Sequence, residues 1–101
     1  MSVYDTIYSS DVDELVLTDV IVEEEIGLAA KVVLYNDEEH TFEEVIYQIM
    51  YATGCTEGRA EELTTEVHFN GKAVVYDGNM DTCIRVSTRL EEIALHTQIE
   101  F

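Results

Sequence analysis

The sequence predicts an α+β domain in the order β-α-α-β-α-β, with three helices on one face of a three-stranded, mainly antiparallel sheet. Three observations carry this. Residues 30–35 form a mostly apolar, β-branched run of strand length, broken only by Lys31. Phe42, Val45, Ile46, Ile49 and Met50 recur at i, i+3, i+4, i+7 and i+8, the spacing of one buried helical face. The other apolar runs are short, and the 101-residue chain has no long crossover repeats, so helices on one side of a small sheet are the economical packing.

Each element has its own punctuation. Asn36-Asp37-Glu38-Glu39 ends the first strand, Thr41 is the expected N-cap of the first helix with Glu44 as its capping-box partner, and Gly54 is the left-handed stop. A second helix starts from Thr56, with Glu57, Glu61 and Glu62 early in it, where the helix dipole favours negative charge. Its apolar stripe, Ala60, Leu63 and Val67, is thin and includes Thr64. Gly71 suits its C-cap, and residues 73–76 read as the second strand. Asp77-Gly78-Asn79 reads as a turn from which Asn79 or Asp81 caps a third helix, whose buried side is Cys83, Val86, Ser87, Leu90, Ile93 and Ala94. Residues 97–101 alternate weakly and read as a terminal strand.

Composition separates two regions. Residues 1–28 hold eight carboxylates and no Lys or Arg, and like charges at that density disfavour compaction. This stretch reads as an acidic arm, with LVLTDVIV within it weighed as an added strand or docking segment. The folded domain is expected over 29–101. Across the whole chain 22 acidic residues against 5 basic ones give a net charge of −17. Such a field repels nucleic-acid phosphates and anionic membranes, and it favours basic or cationic ligands and a monomer. Cys55 and Cys83 lack a paired spacing, the N-terminus has no basic signal region, and no run reaches the length of a membrane span. A cytoplasmic protein with two reduced thiols is the expectation.

Enzyme and metal chemistry find little support. GxSxG, HExxH and P-loop patterns are missing, and Cys55, which could pair with His68 or His96 as a thiol dyad, sits between two helices with no base at a tell-tale spacing. His40, His68 and His96 show no ligand spacing on one element, so neither a metal nor any other cofactor is expected. A binding module remains. Asn36 and Asp37 end the first strand and His68 closes the second helix, so a compact βαα arrangement can bring all three to one rim.

These stretches resemble the ClpS family of adaptors for AAA+ proteases, over roughly residues 30 to 101. The anchors are VVLYNDEEHTFEEVIYQI for the strand, Asn-Asp turn and first helix, ELTTEVHFNGKAVV for the second helix and its His, and LHTQIEF for the last strand. The resemblance implies a non-enzymatic adaptor. It would bind the first residue of N-degron proteins, those beginning with a bulky apolar residue, and hand them to the N-terminal domain of a Clp unfoldase, ClpA or ClpC. By the same resemblance Asn36, Asp37 and His68 would contact the α-amino group, while Phe42, Val45, Thr64, Val67 and Leu95 would form the side-chain pocket. The family's N-terminal extensions take part in transfer, a role that would fall to residues 1–28. Phe42 stands where the family often has a gating Met, and Thr64 where it has a larger apolar residue.

The chemistry fits such a ligand. An α-amine is mostly an ammonium at neutral pH, with three donors for an amide oxygen, a carboxylate and an imidazole nitrogen. An internal residue would leave those acceptors unpaired, at about 1–3 kcal/mol each. The alternative weighed is a docking domain of the ribosomal-stalk C-terminal type, a similar small α+β fold in which Asn36, Asp37 and His68 would be dispensable.

Overall fold

The computed structural model describes residues 28–101, so the acidic arm, with its LVLTDVIV segment, lies outside the described residues up to residue 27. The described chain runs β1 (Ala29–Tyr35), α1 (Phe42–Thr53), α2 (Glu57–Asn70), β2 (Lys72–Asn79), α3 (Met80–Glu91) and β3 (Thr97–Glu100). This is the α+β order the sequence predicts. The sheet order is β2-β1-β3, antiparallel throughout.

The most apolar strand takes the middle. Val32, Val33 and Leu34 are buried, and Leu34 stands opposite Ala73 on one side and Thr97 on the other. One bulge between Val32 and Val33 shifts the register toward β2. Ala30, Val32 and Leu34 then face Ile49 of α1, Ala60, Leu63 and Val67 of α2 and Cys83, Val86 and Leu90 of α3 in one core. Between the helices, the Gln48 side-chain amide donates to the Arg89 carbonyl at 2.6 Å and ties α1 to α3.

The caps of α1 and α2 follow local chemistry. Thr41 and Glu44 form the reciprocal capping box, with Glu44 N–H donating to Thr41 Oγ1 at 3.1 Å and Thr41 N–H to Glu44 Oε1 at 2.8 Å. Gly54 and Gly71 close α1 and α2 at φ 78° and 88°, backbone that disfavours any side chain with a Cβ.

Two local expectations are corrected. Asp77, Gly78 and Asn79 are not a turn but the end of β2, where Asn79 pairs with Ala29 and Gly78 with Ala30. Ladder pairing along the full length of β1 overrides the local turn preference of these residues. Asn79 then caps α3 directly, its Oδ1 accepting from Thr82 N–H at 2.9 Å, while Asp81 sits in the first turn. Ile93 and Ala94 lie past the end of α3 rather than on its buried side. The chain must reverse there to enter β3, and Ala94 takes the reversal at φ 67° while donating to the Glu91 carbonyl at 2.9 Å. A left-handed alanine costs about 1–2 kcal/mol.

Candidate functional site

The turn after β1 is held from two sides. Asn36 N–H donates to the Gly71 carbonyl at 2.9 Å, just beyond the end of α2, and Tyr35 N–H donates to the His96 carbonyl at 3.0 Å. These two backbone bonds bring the Asn36-Asp37 turn beside His68, in the last turn of α2, and beside Leu95, in the segment before β3. The result is a pocket of about 280 Å³ lined by Asn36, Asp37, Phe42, Val45, Thr64, Val67, His68 and Leu95, the full set singled out in the sequence. Leu34, Tyr35, Glu38, His40 and Thr41 complete its lining. Among the described residues no Lys or Arg lines it, while Asp37 and Glu38 do, so these carboxylates favour a cation.

The floor is apolar and the rim polar. Val67 and Leu95 are buried, Val45 is half-buried, and Thr64 is buried with its hydroxyl donating to the Ala60 carbonyl of its own helix at 2.7 Å. That bond satisfies the Thr64 hydroxyl inside α2, so it adds no unpaired polar group to the floor. Phe42 stands at the mouth, 42% exposed, edge-on to the His68 ring with centroids 6.3 Å apart. Among the described residues, neither the Asn36 amide nor the His68 ring nitrogens have a hydrogen-bond partner, and both side chains are exposed. They keep their acceptors for whatever enters.

Asp37, by contrast, is fixed. Its Oδ1 accepts from the backbone N–H groups of Glu39 and His40 at 3.0 and 3.1 Å, and its Oδ2 lies 2.7 Å from His40 Nδ1. The other ring nitrogen, Nε2, lies 2.6 Å from the Ile93 carbonyl. Both partners are acceptors, so the two bonds form together only when both ring nitrogens carry protons. Partial burial pushes the Asp37 carboxyl up, but the bonds from the His40 ring and the two backbone N–H groups outweigh it and hold the group below its ordinary range. His40 is pushed above the ordinary histidine range, first by its bond to Asp37. Burial opposes that, and the Ile93 carbonyl and the charges of Asp37 and Glu44 add to it.

His40 is the residue that sequence reasoning did not nominate for this site. It was weighed only as a metal ligand, and among the described residues no group of three or more His, Cys, Asp or Glu could hold an ion. The legible signal was Asp37 and His40 three residues apart in a turn, a spacing at which an Asx turn brings the side chains together. Its second partner, 53 residues away, had no signal. The two thiols stand apart from the pocket: Cys55 is half-buried, and burial pushes the buried Cys83 thiol up.

Comparison with known proteins bears on what this pocket serves. The family model described as "ATP-dependent Clp protease adaptor protein ClpS" matches residues 28–99. The chain is 45% identical over 49 residues to the ATP-dependent Clp protease adapter protein ClpS of Synechocystis sp., covering 48% of this chain and 50% of that protein. It is 38% identical over 55 residues to the mouse E3 ubiquitin-protein ligase UBR2, covering 54% of this chain and 3% of the ligase. The matches thus span half or less of these relatives' own lengths. A solved structure of Agrobacterium tumefaciens ClpS2 bound to L-phenylalaninamide superposes with a TM-score of 0.68 at 20% identity, covering 72% of this chain and 95% of that one, which shows a shared fold.

Proposed function

The chain belongs to the ClpS family, and from that premise we propose that its pocket captures the first residue of proteins bearing a free α-amino group and a bulky apolar side chain. The bound protein is then presented to a Clp AAA+ unfoldase, ClpA or ClpC, through that enzyme's N-terminal domain. The observation that carries the reading is the convergence of an amide, a fixed carboxylate and an imidazole on the rim of an apolar pocket with no Lys or Arg among its described lining residues.

In this reading the ammonium donates to the Asn36 amide oxygen, to Asp37 and to a His68 ring nitrogen, the bond to the carboxylate being charge-assisted. The side chain enters over Val45, Thr64, Val67 and Leu95, where burying a Leu or Phe contributes about 1.5–3 kcal/mol. Phe42 at the mouth sets which side chain passes. No bond is made or broken, and the protein works by holding one end of a chain. The L-phenylalaninamide carried by the Agrobacterium relative has both halves of such a ligand, an amine and an aromatic side chain.

The remaining parts of the proposal concern delivery. Residues 1–28 serve as an arm in transfer to the unfoldase, while residues 29–101 form the adaptor domain. The chain acts as a monomer in the cytoplasm, where such substrates and unfoldases meet.

A fluorescence titration tests capture. A labelled peptide beginning with Phe binds, and the same peptide acetylated at its N-terminus loses at least about tenfold in affinity, because its amide has one donor and no charge. Equal binding of the two peptides contradicts end recognition.

A further inference from the structure

We propose, resting on the reading of the pocket as an α-amine site, that His40 is its positioning residue. As an imidazolium donating from both ring nitrogens, it clamps the Asp37 carboxylate to the carbonyl of Ile93 and so fixes the anionic rim and the Leu95 wall in one geometry.

The clamp bridges two segments that also meet through the Tyr35–His96 backbone bond and the packing of those two rings, centroids 5.2 Å apart. On one side, Asp37 Oδ1 has its two acceptor positions filled by Glu39 and His40 N–H, and Oδ2 accepts His40 Nδ1 at 2.7 Å. Of the roughly four lone-pair positions of a carboxylate, this leaves one on Oδ2 for a ligand. A carboxylate so held need not be ordered when an ammonium arrives, which removes part of the entropic cost of binding. On the other side, the Ile93 carbonyl accepts Nε2 at 2.6 Å, one residue before Ala94 in the left-handed region at φ 67° and two before Leu95, which is 3% exposed in the pocket. A non-glycine residue in that region persists only where its surroundings hold it. His40 is one of those holds, and itself is largely covered, with 14% of its side chain exposed.

Protonation decides whether both bonds exist. A neutral ring can donate from one nitrogen only, so the other would turn a lone pair toward Asp37 or toward the Ile93 carbonyl. The groups that act on this ring are Asp37 and Glu44 from the turn and the start of α1, and the Ile93 carbonyl from the segment before β3. Glu38 and, from α2, His68 share the pocket. The imidazolium also opposes a second cation. The pocket mouth is open to water, which screens that repulsion, whereas the ordering of Asp37 and Leu95 acts through direct contact and is not screened. Ordering therefore wins, and loss of His40 weakens capture.

The test compares free and N-acetylated Phe peptides on the wild type, His40→Ala, His40→Asn and His40→Gln, from about pH 5.5 to about pH 8.5, a range spanning the histidine and α-amine titrations. His40→Ala should weaken binding of the free peptide about tenfold on the acid side. An Asn amide near the place of Nδ1 can serve Asp37 and a Gln amide near that of Nε2 can serve Ile93, so each restores part of the affinity. Titration of the peptide's amine is common to all four proteins and cancels in affinity ratios. The ratio of wild type to His40→Ala should be largest on the acid side and shrink as pH rises through a value above the ordinary histidine range, whereas the ratio between any two variants stays flat.

Unchanged or raised affinity in His40→Ala, with acetylation still weakening binding, overturns the clamp while leaving the α-amine reading intact. Indifference to acetylation in the wild type overturns that reading first. Nitrogen NMR of the wild type provides a check that no variant's folding can confound: both His40 ring nitrogens should be protonated near neutral pH, and the Leu95 methyl signals should shift as the ring loses a proton. Leu95 signals that ignore that titration contradict the clamp.

Discussion

Two hollows flank Phe42, and they differ in what they can recognise. The groove between α1 and α2 is the larger, about 470 Å³ against about 280 Å³, with Phe42, Ile46, Tyr47 and Met50 beneath Glu43, Glu57, Glu61 and Thr65. Its carboxylates stand on exposed helical positions, and Glu43 and Glu57 lie in first turns where the helix dipole already favours them. None of the three takes part in a hydrogen bond that would aim it into the groove, among the described residues. In the smaller pocket, a carboxylate held by three hydrogen bonds, an amide and an imidazole converge from a turn and the end of another helix. Carboxylates are common to both hollows. Direction is what separates them, because an acceptor fixed before binding discriminates between donors and a mobile one only attracts cations.

Substitutions on each side can break that contrast. The largest effect belongs to Asp37. Asp37→Ala removes both the charge and the Asx turn and should lower affinity for a Phe-starting peptide by about a hundredfold, while Asp37→Asn keeps an oxygen for the turn and should cost about tenfold. Glu61→Gln, in the groove, should change affinity by less than about twofold, the scale of a screened surface charge. Calorimetric titration of the three variants checks the order. A Glu61→Gln loss as large as that of Asp37→Asn would mean that general acidity, and not a directed acceptor, draws the ligand.

Phe42 sharpens the contrast because it is the wall the two hollows share. Phe42→Ala would open the pocket toward the groove, so a small first residue such as Leu should lose about fivefold in affinity while Trp loses about twofold or less, the difference of a partly filled apolar contact. Competition between peptides that differ only in their first residue reads this directly. Equal losses for Leu and Trp would make Phe42 a packing residue with no part in selection.

Much of this was legible in the sequence, for identifiable reasons. The apolar run of β1 and the period of α1 reflect burial of whole faces, and Thr41, Gly54, Thr56 and Gly71 act through their own neighbours, so local patterns predicted them. Residues 77–79 misled because a turn-forming composition was outvoted by pairing with Ala29 and Ala30, some fifty residues upstream. Ile93 and Ala94 kept the helical period after the helix had ended, since a continuing apolar pattern does not record where the chain must reverse for β3. Asn36, Asp37 and His68 could be grouped by the βαα order and by resemblance to a family, whereas the backbone bonds that bring them together, Asn36 to Gly71 and Tyr35 to His96, leave no trace in side-chain identity. The same holds for the bond from His40 to Ile93.

The central claim is that the pocket reads an ammonium group. The most direct measurement is calorimetric titration with phenylalaninamide and with 3-phenylpropanamide, which keeps the ring and the amide and lacks only the amine. Three unmet acceptors at about 1–3 kcal/mol each predict a preference for the amine-bearing ligand of about a hundredfold or more. Equal affinities would show that the pocket binds an apolar side chain alone, and would contradict the assignment of Asn36, Asp37 and His68.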